Sequence, residues 1–192
     1  TFDGGEKVIS NLTITVENDV HGAAALIPTL AGDGTTIKNV TLKNVNISSS
    51  HYAGGIWGYT TNDNCYINVT NCHVEGGTIT GNIYNGDNAD KVGGIGGIFY
   101  TGVVSNCSVK GVTISGYRDI AGLVGWAADS NATIKNNEIE NVTINVNNTT
   151  NYKKYTNRAQ YDVNSYVGEG VGTAKIEGNT GEATINWGSI AE

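Results

Sequence analysis

The sequence predicts an all-β solenoid of short parallel strands. Two observations carry that expectation: an eleven-residue segment recurs along the chain, and a glycine block recurs between its copies. Composition agrees with both. Of 192 residues, 27 are Gly, 25 Asn and 22 Thr, with one Pro and no Met. Helix formers are scarce, which excludes a helical bundle. At 39% hydrophobic residues the chain can bury a core and is not a disordered tail. Its length fits a single domain over residues 1–192. No apolar run approaches the ~18 residues of a membrane helix, so no membrane insertion is expected. A net charge of −7 without a Lys/Arg cluster argues against nucleic acid and anionic membrane as partners.

Four copies align without gaps: Ile37 to Ile47, Val69 to Ile79, Val104 to Ile114 and Ile134 to Ile144. A fifth, Ile9 to Val16, fits the first half of the pattern. Their starts lie 28, 32, 35 and 30 residues apart, a solenoid period with variable loops. Down the stack the first position is always β-branched, and two residues on stands Asn11, Asn39, Asn71, Asn106 or Asn136. Period-two alternation within each copy predicts short strands with one face inward. The Asn interrupts that alternation, as a bend requires, and Asn tolerates left-handed backbone. A buried Asn ladder is the expected result. Lys43, Glu75, Lys110 and Glu140 form one outward column of alternating sign, as in-register parallel coils ~4.8 Å apart would favour.

Between the copies come Gly54-Gly55-Ile56-Trp57-Gly58-Tyr59, Gly93-Gly94-Ile95-Gly96-Gly97-Ile98 and Ala121-Gly122-Leu123-Val124-Gly125-Trp126. A degenerate fourth block runs from Val167 to Gly172. The glycines suit sharp corners and close backbone packing, with Ile56, Ile95 and Leu123 inward. One block and one copy per coil gives about six coils. Residues 1–22 form an N-terminal cap or first coil, 23–172 the repeats and 173–192 a C-terminal coil or cap. Long insertions fall at 80–92 and 145–166.

The blocks resemble the GLUG motif, Gly-Leu-any-Gly. Gly122-Leu123-Val124-Gly125 matches it outright, and Gly55-Ile56-Trp57-Gly58 and Gly94-Ile95-Gly96-Gly97 carry Ile for Leu. The resemblance spans roughly residues 20 to 175. It implies a right-handed, single-stranded parallel β-helix, an extracellular or bacterial cell-surface location and adhesive use. It brings no catalytic residue with it. With a start at Thr1 and no Met, the chain reads as an excised piece of a larger multidomain protein.

Candidate chemistry is sparse. His21, His51 and His73 are scattered and give no zinc site, and Asp87, Asn88 and Asp90 read as a solvated loop rather than a Ca²⁺ site, so no metal or cofactor is expected. Cys72 and Cys107 share a column and read as free, buried thiols, with Cys65 apart from them. The 145–166 insertion gathers Tyr152, Tyr155, Tyr161 and Tyr166 beside Lys153, Lys154 and Arg158. Aromatic faces and cations on a long loop suit an acidic sugar or a carboxylate. Trp57, Tyr59 and Trp126 are expected outward just past the glycine corners, as an exposed aromatic strip. A polysaccharide-cleaving enzyme needs a carboxylate pair, whereas the outward column Thr13, Thr41, His73, Ser108, Glu138 supplies one. Three classes follow in order: a non-catalytic binding module for a glycan or host protein, a structural spacer, and a polysaccharide lyase or glycosidase. Tyr152, Tyr155, Arg158, Tyr161, Trp57, Tyr59 and Trp126 are the candidate ligand contacts.

Overall fold

The computed structural model describes residues 1–17, 19, 22–61, 65–82, 91–127, 130–147, 163–169 and 174–188. Among these there is no helix, and every strand pairing is parallel. Three sheets wall the solenoid. The largest has eleven strands, among them Thr35–Ser49, Tyr66–Gly81 and Ser108–Gly116. Two shorter walls of five strands each run beside it, one through Tyr52–Gly54 and Lys91–Gly93, the other through Trp57–Thr60 and Gly96–Phe99. Five strands are four steps apart, so the described residues of the short walls make about four turns. Residues 2–16 pair only with the large sheet. No described helix is long and apolar enough to cross a membrane.

The column reading holds through the middle turns. Ile37 pairs with Val69, Val69 with Val104, Val104 with Ile134 and Ile134 with Ile176, as in-register apolar stacking demands. All but Ile176 are fully buried. The charge column is likewise in register. Lys43 meets Glu75 at 2.9 Å, and Lys110 meets Glu140 at 3.2 Å.

Each copy bends twice rather than once. Asn39, Asn71, Asn106 and Asn136 have φ of 52° to 56°, and five residues later Asn44, Gly76, Gly111 and Asn141 are left-handed too. The second bend was hidden because Gly and Asn share its column. It also moves the N-terminal copy. Ile9 pairs with Leu42 and Ile14 with Ile47, so Asn11 stacks by the second bend at Asn44 and not over Asn39. Glu6, with φ 60°, takes the first bend instead. The two halves of a copy are so alike (Ile37-Lys-Asn39-Val40 and Leu42-Lys-Asn44-Val45) that pattern alone could not choose between them. The first-bend Asn side chains are also half-exposed or exposed, not buried. Their ladder runs along the surface, with Asn71 Nδ2 donating to Asn39 Oδ1 at 2.8 Å.

A buried amide ladder does exist one residue later. Asn137 is 1% exposed; its Nδ2 donates to Asn179 Oδ1 at 2.9 Å, and its Oδ1 accepts from the Cys107 amide at 2.9 Å. These bonds offset the cost of burying a polar group in this column. Cys72 and Cys107 fill the same column in the turns before, and all three cysteines are free and buried. Burial pushes the Cys107 thiol up. Because all three are buried, none is expected to react with a water-soluble disulfide reagent at pH 8 in the native protein, and all should react after denaturation. Rapid native labelling of Cys107 would contradict this packing.

The glycine blocks make the corner between the two short walls. A Cβ on Gly55, Gly94 or Gly122 would lie within 2.6 Å of a backbone oxygen one turn on: that of Gly94, Gly122 or Ser165. The closing glycine of the block faces the other short wall, and a Cβ on Gly125 would meet the Val92 amide at 2.5 Å. Ile56, Ile95 and Leu123 are inward and fully buried, as expected.

Candidate functional site

Two surfaces combine functional side chains, and the first is the outer face of the two short walls. Period-two alternation on the Trp57–Thr60 strand places Tyr59 outward, paired with Thr29 and aligned through Ile98 with Trp126. Tyr59 stacks on Tyr52 of the neighbouring wall, ring centroids 5.1 Å apart and 14° from parallel. Trp126 takes an edge contact from Tyr100 at 5.5 Å and carries the Lys91 ammonium 5.6 Å from its ring centre. All five residues are half-buried, and Lys91 also pairs with the buried Asp119 carboxylate at 3.5 Å, its side chain 12% exposed. Ile98, between Tyr59 and Trp126, is covered at 2% exposure.

Trp57 does not belong to this strip. It is fully buried, and its indole nitrogen donates to the Ile98 carbonyl at 2.7 Å. Alternation restarts at the corner, so Ile56 and Trp57 both turn inward, as Leu123 and Val124 do two blocks later. Of the seven candidate contacts, Tyr59 and Trp126 share this outer wall, whereas Tyr152, Tyr155, Arg158 and Tyr161 lie outside the described residues, as do Asp87, Asn88, Asp90 and His21. Tyr166, at the end of the same insertion, is described. Its hydroxyl donates to the Gly181 carbonyl at 2.6 Å, tying the last turn together. Tyr52, Lys91 and Tyr100 were missed as wall residues. Extending the glycine-block alignment two residues upstream would have found Tyr52 and Lys91, which pair directly.

The second surface is a shallow groove of about 400 Å³ on the large sheet, lined by His73, Glu75, Asn106, Ser108, Lys110 and Glu138 among others. Strand register puts Ser108 between His73 and Glu138, and Lys110 between Glu75 and Glu140. Lys110 Nζ lies 2.8 Å from Glu138 and 3.2 Å from Glu140, and these carboxylates hold its ammonium above the usual value. His73 Nδ1 is 2.8 Å from Ser108 Oγ, and its Nε2 is 3.0 Å from Asn71 Oδ1. Burial lowers the His73 pKa, with the nearby Glu75 carboxylate opposing that shift. Among the described residues no three His, Cys, Asp or Glu side chains are grouped to hold a metal ion.

No family model, no curated protein and no solved structure matches the chain. Function therefore rests on these two surfaces.

Proposed function

We propose that the chain is a binding module of a bacterial cell-surface or secreted protein, and that it recognises a glycan or a host protein on its aromatic wall. One observation carries this reading: Tyr52 with Tyr59 and Tyr100 with Trp126 form two half-buried aromatic pairs on the outside of the solenoid, with Lys91 over Trp126. Large rigid rings with one face free give contact area at little entropic cost and suit the apolar faces of a sugar. Binding there needs no bond to be made or broken. The glycine corners and the single-stranded course support a right-handed helix of the GLUG type, and with it an extracellular setting. Tyr152, Tyr155, Arg158 and Tyr161 are proposed to extend the same ligand contact.

An array of acidic polysaccharides and mucin sugars tests the reading. Loss of an anchoring ring typically costs ~2 kcal/mol, about thirtyfold in affinity. Tyr59→Ala with Trp126→Ala should lose at least that much. If only Tyr152→Ala/Tyr155→Ala/Arg158→Ala lowers binding, the site is the insertion and not the wall. No binding to the array or to extracted host surface protein would favour a spacer.

A further inference from the structure

A directed chain of hydrogen bonds leads into the groove and starts at an acceptor with no proton to give. Hydrogen bonds from the Gly5 amide, then from Asn39 and Lys38, hold the Asp3 carboxyl down at about 2, so it is a carboxylate at neutral pH. Asp3 Oδ1 accepts from Asn39 Nδ2 at 3.0 Å, which turns Asn39 Oδ1 toward the next turn. That oxygen accepts from Asn71 Nδ2 at 2.8 Å, and so Asn71 Oδ1 is the atom that faces His73. An amide oxygen can only accept. The proton of neutral His73 therefore sits on Nε2, and Nδ1 presents its lone pair to the Ser108 hydroxyl, 2.8 Å away. A base oriented by a third group and hydrogen-bonded to a hydroxyl is the arrangement that activates a serine. Four neighbouring strands of the large sheet contribute to the chain, through Asp3, then Asn39, then Asn71 with His73, then Ser108.

We infer that Ser108 is a nucleophile, with His73 as its general base and Asn71 as a positioning residue, acting on a small carboxylic ester in the large-sheet groove. This site lies on a different wall from the aromatic cluster and stands apart from the binding reading. In the first step Ser108 Oγ bonds to the ester carbonyl carbon and its proton passes to His73 Nδ1. The C–O bond to the alcohol then breaks, and the leaving oxygen takes that proton. Water attacks the acyl-serine, gives one proton to His73 Nδ1 and releases the acid, and Ser108 Oγ recovers its proton. Ester and water become acid and alcohol with no other reactant. In sequence this column shows one carboxylate, and only strand register sets a serine beside a histidine.

A fluorophosphonate probe and p-nitrophenyl acetate test the proposal on the whole chain at pH 7.5. The probe should add once, at Ser108 by peptide mapping, as Oγ displaces fluoride from phosphorus. Ser108→Ala should abolish labelling and ester turnover while its melting temperature stays near wild type. His73→Gln should slow labelling at least ~100-fold. Asn71→Gly keeps the left-handed bend, and it should slow labelling and move the midpoint of the pH–rate profile, which a purely structural role would leave in place. Should Ser108→Ala unfold, Ser108→Cys replaces it, and fluorophosphonate labelling at that position should be lost with the fold kept. Labelling absent, directed elsewhere or indifferent to His73→Gln would overturn the assignment, and labelling without ester turnover would overturn its hydrolytic half.

Discussion

Trp57→Ala is expected to lower the unfolding free energy by about 3–5 kcal/mol, the range for truncating a fully buried aromatic ring. Three observations place the residue at the top of that range. The ring is fully buried and lies 5.7 Å from Phe99. Its indole N–H donates to the Ile98 carbonyl at 2.7 Å. It also covers Gly96 of the next turn, where a Cβ would come within 2.1 Å of the indole carbons. Removing the ring thus empties the space above a glycine, which has no side chain of its own to fill it. Urea denaturation followed by far-UV circular dichroism measures the loss. A change below ~1 kcal/mol would mean that the ring is not packed in the core. Since turns touch only their neighbours, the damage should be greatest in the turns carrying Trp57 and Gly96.

Gly94→Ala is expected to be nearly as severe, at about 3 kcal/mol, the upper end for overpacking. The added Cβ would stand 2.2 Å from the Gly122 carbonyl oxygen and 2.7 Å from a Val109 methyl. The first obstacle is backbone, so relief requires the corner to open. Gly111→Ala is the control. Its φ of 62° penalises any side chain, yet nothing lies within 4 Å of the new atom. That variant should cost only the ~1–2 kcal/mol of left-handed backbone. Equal losses for the two would show that conformation, and not contact with the next turn, explains the corner glycines.

The fold was legible because stacking repeats its demands. Ile37, Val69, Val104 and Ile134 answer one inward position four times over, and Lys43, Glu75, Lys110 and Glu140 report the register from outside. What failed was local. Ile9 to Val16 was placed on the wrong half of its neighbour because both halves of a copy share one pattern. Trp57 was read outward because alternation was carried through a corner where it restarts. The surfaces were harder still. Tyr52 meets Tyr59 across two walls, and His73 meets Ser108 across two turns. Such contacts depend on a register that only the folded chain supplies.

The fit of Trp57 over Gly96 also bears on how such a chain can lengthen or shorten. Most columns would tolerate the deletion of one whole turn, since Val meets Ile or Asn meets Asn on either side of the cut. The column Ile27, Trp57, Gly96, Val124, Val167 would not. Excising the turn that carries Gly96 would set the indole against Val124, and exchanging the two turns would set a glycine against Ile27. The turns are alike in outline but not interchangeable, and their order is written into the core by a large residue followed by an absent one.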